Sequence, residues 1–438
     1  MFTLNTDQKE AADAFFSFLL SDSAVFVLSG KAGVGKTFLM SYISSDIMNH
    51  YEKACKLGDI KQKYHNLDFT ATTNKAAEVL ERGLGKPVST IHSYLGLKVK
   101  ENWKTGKTTL EKTNNFKIRK NTILFIDESS MIDMDTYKII LESMENSKIV
   151  FVGDHAQMAP INEKTSQVYI NAEPENFVFL TKPVRNADSP ALIALCDQLR
   201  HTVETGEFLP MAEVPGEIDY LDAEEMQRGL KHYFADDLDP SCRILAYTNA
   251  HVENYNAYIR ELRGLPSQFQ QGDAVVVAQT WQRGATSLNV ERQLYVQNVG
   301  TLAHKGSYGD IFADGKGIDY VDVEVSSDPE GHNVISATMP VSKERWLMAI
   351  KKLANDKNWR EYFELKGAHL DLRDKAACTV YKSQGSTYEA VFIDLGNIGT
   401  SFNSEQVARM LLVAISRATT RVFFYGSLPA MYSGIKAA

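Results

Sequence analysis

The sequence predicts an α/β protein with two parallel-sheet lobes and an antiparallel, β-rich insertion in the second. Three observations carry this. Short apolar runs alternate with helical segments over residues 6–154, the pattern of a parallel sheet covered on both faces. The same alternation resumes at residue 242 and returns near the C-terminus. Between these pieces, residues 269–369 change texture to alternating apolar positions broken by glycine turns.

The elements follow in order. Residues 6–20 (TDQKEAADAFFSFLL) read as a helix opened by an N-cap at Thr6 or Asp7. AVFVLS (24–29) is a buried parallel strand, and a helix runs from Lys36 to about Asn49. LDFTATT (67–73) is a second strand, followed by the helix NKAAEVLERGL. TILFIDES (122–129) and KIVFVGD (148–154) are two more strands. In the second block, CRILAYTN (242–249) leads into the helix AHVENYNAYIRELRG. AVFIDLG (390–396) and RVFFYGS (421–427) flank the helix SEQVARMLLVAISRA (404–418). QGDAVVVAQT and LYVQNVGTLAHK suggest a small antiparallel barrel, and residues 341–363 are helical and amphipathic. There Trp346, Trp359, Tyr362 and Phe363 recur at helical spacing, which reads as core.

At 438 residues the chain has length for about three domains. No run of about 18 apolar residues exists, so no membrane helix is expected. The start, MFTLNTDQKE, lacks the pattern of a secretory signal. Cys55, Cys196, Cys242 and Cys378 show no C-x-x-C spacing and read as buried thiols, so the expected compartment is the cytoplasm, a host's if the protein is phage-encoded. A formal charge of −8 speaks against a polyanion partner for the surface as a whole. Charge is unevenly placed, however: residues 97–120 hold eight Lys/Arg against two Glu, enough for one phosphate-facing element.

Gly30-Lys-Ala-Gly-Val-Gly-Lys36-Thr37 fits G-x-x-x-x-G-K-[ST] between a strand and a helix, the context of a phosphate-binding loop. Glycines let backbone N–H groups approach phosphate oxygens, and the helix N-terminus adds its dipole. Lys36 would neutralise the β- and γ-phosphates of ATP, and the Thr37 hydroxyl would ligate Mg²⁺. Asp127 and Glu128 end a strand, where side chains point into the ligand crevice of a parallel sheet. Asp127 would hold Mg²⁺, and Glu128 would orient and deprotonate the attacking water. Gln157, after the next strand, could sense the γ-phosphate. Arg185 and Arg417 could clamp the transition state if a second lobe closes over the nucleotide.

Taken in order, these segments resemble the superfamily 1 helicases, and within them the RecD/Dda-like branch, superfamily 1B. LNTDQKEA (4–11) resembles the adenine-reading Q motif, GKAGVGKT motif I, FTATTNKAA (69–77) motif Ia and STIHSYLG (89–96) the element beside it. LFIDESSM (124–131) resembles motif II, FVGDHAQMAP (151–160) motif III and LTKPVRN (180–186) motif IV. TVYKSQGSTYEAVFID (379–394) resembles motif V and LLVAISRATTRVFFYG (411–426) motif VI. Departures are mild: Thr72 where a proline is common, Met158-Ala159-Pro160 for Leu-Pro-Pro, and Ser416 for Thr.

The resemblance implies two RecA-like domains, 1A at 1–96 and 121–180 and 2A at 181–268 and 370–438. It implies a β-hairpin insertion (1B, 97–120) acting as a separation pin and an SH3-like barrel with a helical extension (2B, 269–369). Gln8 would read adenine, with Gly30, Gly33, Gly35, Lys36, Thr37 and Phe38 completing the nucleotide site. Thr73, Asn74, Thr90, His92, Ser383 and Gln384 would line the nucleic-acid path. Trp103, near the hairpin tip, either stacks on the last base pair or packs the hairpin onto the domain beneath. The implied activity is 5′→3′ translocation on single-stranded DNA with strand separation, driven by ATP and Mg²⁺. The implied partners are single strands, single–double-strand junctions and a single-strand-binding protein, with no membrane and a monomeric chain. The alternatives are an ATP-driven remodeller of protein–nucleic acid complexes and an RNA helicase. A clamp with a decayed ATPase is disfavoured by intact Lys36, Glu128 and Arg417.

Overall fold

The computed structural model describes residues 3–160, 163–182, 184, 189–236, 241–284, 286–301, 303–306 and 308–433. The first sheet has six parallel strands. In spatial order they are Phe177–Leu180, Val25–Gly30, Lys148–Gly153, Thr122–Asp127, Asn66–Ala71 and Val88–Thr90. Its central strands are covered on both faces, which is why they read as unbroken apolar runs. Lys148 is buried in one of them because its ammonium donates to the Ser21 and Ser23 carbonyls and lies over the Phe18 ring. All strands run the same way, so Gly30, Ala71, Thr90, Asp127 and Gly153 collect at one edge. That edge is where a parallel sheet binds ligands.

The helix Thr6–Leu20 is capped by Asn5, not by Thr6 or Asp7. The Asn5 side chain accepts the Gln8 N–H and the Gln8 side chain accepts the Asn5 N–H, a reciprocal capping box. The helix after the phosphate loop is longer than expected. It runs as Lys36–Tyr42, a π-turn at Ile43–Ile47, and Met48–Leu57.

The second sheet is also parallel, in the order Ile218–Leu221, Ala418–Tyr425, Tyr388–Asp394, Cys242–Ala246 and Ala377–Thr379. Helix Ser404–Ile415 buries every residue from Val407 to Ile415, as a helix does when it is packed on all sides. Its neighbour is helix Pro190–Thr205, which the sequence pattern did not reveal.

The insertion is antiparallel. Its order is Ile335–Pro340, Tyr320–Ser326, Gln293–Val299, Ala274–Val277 and Leu372–Asp374, with a small hairpin of Trp281–Arg283 and Thr286–Leu288. Among the described residues the two edge strands share no ladder, but the Leu370 N–H donates to the Thr338 carbonyl at 2.8 Å, so the sheet curls back on itself and is only partly closed, with a bulge at Val296/Asn298. Its last strand lies beyond residue 369 and is too short to show alternation. Trp346 is fully buried, its indole N–H donating to Leu365, and Phe363 is buried too. Trp359 and Tyr362 are half-buried, so the core reading fits the first pair best. Residues 97–120 contain a hairpin, Leu97–Glu101 paired with Thr108–Lys112. None of the four cysteines forms a disulfide; three are buried, whereas Cys196 is half-buried. Among the described residues no helix is long and apolar enough to cross a membrane.

Candidate nucleotide site and strand channel

Gly33 (φ +76°) and Gly35 (φ +82°) take left-handed conformations in the phosphate loop, which other residues adopt only with strain. A Cβ on Gly30 would come within 2.9 Å of Leu180, and one on Gly35 within 2.6 Å of the Gln8 amide. The loop therefore closes on the Gln8 side chain, whose Nε2 donates to the Val34 carbonyl at 3.1 Å. Gln8 keeps one donor and one acceptor site beyond its capping and loop bonds, enough to meet a base edge. Phe38 stands exposed on the same turn, and Thr37 faces Gly83, where a Cβ would crowd its methyl at 2.9 Å.

Lys36 donates to the carbonyls of Gly30 (2.8 Å) and Lys31 (3.0 Å). Burial lowers its pKa, while Asp154, Glu128 and Asp127 pull it back up. Asp127 ends its strand half-buried, and burial together with the Glu128 carboxylate pushes it up to about 7. Glu128 holds φ +54°, ψ +41°, a left-handed geometry that costs a non-glycine residue about 1–3 kcal/mol. Thr72 braces this bend: its N–H donates to the Asp127 carbonyl and its hydroxyl to the Glu128 carbonyl, both at 3.2 Å. A proline at that position could not make the first bond.

Two crowded carboxylates suit a hard divalent cation. Gln157 is buried and its side-chain oxygen finds no partner among the described residues, which leaves an acceptor for a ligand's donor. Thr37 and Asp127 are the groups that would hold Mg²⁺.

The loop carrying Gln157 is embedded in the second lobe. Ala156 and Met158 join a core cluster with Leu192, Leu195, Leu199 and Leu412, so methionine fills a leucine-sized place there. Asp154 makes a buried two-pronged pair with Arg200 at 2.8 and 2.6 Å. Burial alone would raise the Asp154 pKa; the bonds and charge of Arg200 hold it below its usual value. Arg409 donates to the carbonyls of His155, Gln157 and Lys164. A cavity of about 120 Å³ beside the loop is lined by Lys31, Gly33, Gln157, Cys196, Arg200 and Ser416, and burial pushes the Cys196 thiol up to about 12.

Of the two arginines expected at this cleft, Arg185 lies outside the described residues. Arg417 is buried in its own lobe, donating to the Val413 and Ser386 carbonyls and to the Ser416 hydroxyl. The guanidinium that does line the cavity is Arg200, which sequence reasoning missed. The only local signal was the charged Asp154 at a buried strand end, which calls for a cation.

A larger cavity, about 780 Å³, lies between all three sheets. Asn74 and Thr90 reach it from the first lobe, Lys382 and Ser386 from the second, Arg292 and Tyr295 from the insertion. Its lining holds six cations (Lys75, Arg82, Arg243, Arg292, Lys375, Lys382) against three acids (Glu78, Glu81, Glu291), so it is basic within an acidic chain. Thr73 and Thr90 are helix N-caps, accepting the N–H groups of Ala76 and Ser93. His92 is half-buried, and burial lowers its pKa against the pull of Asp133. Ser383 does not face the cavity: it is fully buried and its hydroxyl donates to Val380 at 2.7 Å, because the turn Tyr381–Ser383 needs that bond. Gln384 is nearly buried, its Nε2 without a partner among the described residues, and Gly385 lies against Ala76. Trp103 is 53% exposed, which leaves about half of its surface open. The hairpin tip is braced elsewhere: a Cβ on Gly106 would lie 2.5 Å from the Trp359 ring of the insertion.

A family model described as an AAA domain matches residues 3–219, and one described as a UvrD-like helicase C-terminal domain matches 375–425. The chain is similar to the ATP-dependent DNA helicase dda of Enterobacteria phage T4, 22% identical over 461 residues covering 96% of this chain and 99% of that protein. It is 28% identical over 165 residues to the RecBCD enzyme subunit RecD of Buchnera aphidicola subsp. Schizaphis graminum, covering 33% of this chain and 25% of that one. Among solved structures, Pif1 helicase from Bacteroides in complex with ADP-AlF3 and ssDNA superposes with a TM-score of 0.51 at 14% identity, over 100% of this chain and 95% of that one. The two parallel sheets thus share the RecA-like fold of that helicase, with the phosphate loop in the first. The chain is thus similar to the ATP-dependent DNA helicases of the RecD/Dda-like branch of superfamily 1.

Proposed function

We propose that this helicase hydrolyses ATP between its two motor lobes, steps 5′→3′ along single-stranded DNA and parts the duplex ahead of it. The observation that carries this reading is the basic channel walled by both lobes and the insertion, next to a lobe that also bears the phosphate loop. Lys36 and the loop N–H groups bind the phosphates, and Gln8 and Phe38 border the base. Mg²⁺, when bound, supplies charge neutralisation of the developing phosphate oxygens. Glu128 orients the attacking water and takes its proton, while the Gln157 amide N–H meets the γ-phosphate and its unpartnered oxygen accepts from that water. Arg185 and Arg417 complete the site as the lobes close. For Arg417 this means exchanging neutral carbonyls for a phosphate, a stronger acceptor for a guanidinium.

Asn74 and Thr90, which line the channel, hold the strand together with Thr73, His92 and Gln384 next to them in sequence or on the turn Tyr381–Ser383 that presents Gln384. The domains are 1A (1–96, 121–180), 1B (97–120), 2A (181–268 and the chain after the insertion) and 2B, whose sheet extends to Asp374. The 1B hairpin is the pin, with Trp103 stacking at the junction and Trp359 bracing its tip. Duplexes carrying a single 5′ or a single 3′ tail test the reading. Unwinding of the 5′-tailed substrate alone is expected, and 3′-tail preference or strand-stimulated ATPase with no unwinding overturns it. Lys36→Ala and Glu128→Gln are expected to abolish strand-stimulated turnover; wild-type rates in either refute the site.

A further inference from the structure

We infer that Arg409 is a positioning residue that makes the Gln157 loop move with the second lobe, linking nucleotide state to grip on the strand. The inference rests on the nucleotide reading proposed above and adds to it the residue that transmits the signal. Arg409 projects from helix Ser404–Ile415 and is 6% exposed. Its Nη1 donates to the carbonyls of His155 (2.7 Å) and Gln157 (2.5 Å), and its Nη2 to that of Lys164 (2.9 Å). Nε and Nη2 also meet the Glu405 carboxylate at 3.2 and 3.0 Å. A guanidinium has five N–H groups, and these five contacts use them all.

The arrangement is asymmetric in a way that suits transmission. The backbone of Gln157 is held by a side chain of the second lobe. Its side chain lines the cavity beside the phosphate loop of the first, with an amide whose N–H groups suit a phosphate oxygen. The helix that carries Arg409 ends at Ser416, which lines the same cavity, and the second lobe also supplies Lys382 and Ser386 to the basic channel. A shift of this helix therefore drags the Gln157 carbonyl with it, and a pull on Gln157 by nucleotide is felt by the lobe that walls the channel. Arg409 thus holds three backbone carbonyls, whereas the Asp154–Arg200 pair anchors a single side chain.

The test compares Arg409→Met, which keeps volume and removes every donor, with Arg409→Lys, which keeps charge without the fork. Steady-state ATPase with saturating oligo-dT and oligo-dT affinity with and without a non-hydrolysable ATP analogue are read together. For Arg409→Met, a fall in stimulated kcat of about tenfold or more is expected, with KM for ATP within about twofold. The change in strand affinity caused by the analogue should collapse towards unity, with Arg409→Lys in between. Wild-type kcat and wild-type nucleotide response in folded Arg409→Met overturn the inference. So does a matched loss in every parameter that tracks a lowered melting temperature, the mark of a purely structural contact. Should Arg409→Met fail to fold, Arg409→Lys and Glu405→Gln decide: the same kcat-only loss in both supports the inference, and wild-type behaviour in both overturns it. Lys36→Ala run alongside separates the two levels, since turnover in that variant sinks the nucleotide reading whatever Arg409 does.

Discussion

The Asp154–Arg200 pair offers a quantitative check on how the lobes are joined. Side-chain exposure is 2% for Asp154 and 9% for Arg200, and both bonds are short. Asp154→Asn leaves a buried guanidinium without its bonded carboxylate, with only Glu204 and Asp197 as further negative charges, and close enough to Lys36 to lower that lysine's pKa. Removing one partner of such a pair costs about 3–5 kcal/mol. For a lobe of roughly 150–250 residues this corresponds to a fall in Tm of about 6–20 °C. Replacing both by apolar residues, Asp154→Leu with Arg200→Met, should recover much of the loss, since a buried pair often does no better than its hydrophobic substitute. The pH dependence has a definite sign. Arg200 holds the folded-state pKa of Asp154 below its unfolded value, so the contribution is present above the ordinary carboxylate range and fades as pH falls through the folded pKa. The assay is differential scanning fluorimetry of wild type, both single variants and the double variant at pH 7.5. An Asp154→Asn protein melting within about 2 °C of wild type would refute the reasoning, because a shift that small is about 1 kcal/mol or less.

Asp127, pushed up to about 7 by burial and Glu128, must release a proton to take Mg²⁺. Apparent Mg²⁺–nucleotide affinity should therefore fall up to about tenfold per pH unit below that value, and calorimetry in two buffers of different ionisation enthalpy should register proton release; buffer-independent heats would contradict it. Without Mg²⁺ the raised pKa makes the site's contribution to stability full below the unfolded carboxylate value and lost as pH rises through about 7, so Mg²⁺ should raise Tm more at pH 8 than at pH 6. Trp103→Ala should slow unwinding by the loss of about 1–3 kcal/mol of stacking while strand-stimulated ATPase stays at the wild-type rate; unchanged unwinding by stopped-flow fluorescence would remove Trp103 from the junction.

The phosphate loop, the Asp127-Glu128 strand end and the apolar strands could be read from sequence because each is specified over a few neighbouring residues. Glycines at 33 and 35 announce backbone geometry directly, and runs such as TILFID announce burial on both faces. Where the reading missed, the information was not local. The cap fell to Asn5 because Gln8, three residues on, returns the bond. The strands Val88–Thr90 and Leu372–Asp374 are too short for any pattern.

The sequence by itself determined the glycine backbone of the phosphate loop and the strand that ends on Asp127, since both follow from local composition. Only the tertiary structure decided which charges meet across the lobes. Arg200 and Arg409 sit on helices where an arginine ordinarily faces water, and each is buried because a strand end or loop many residues away presents acceptors to it. Ser383 looked like a strand contact and turned out to brace its own turn. Burying a charge is tolerated only where partners converge, and convergence is a property of packing that spacing along a chain does not encode.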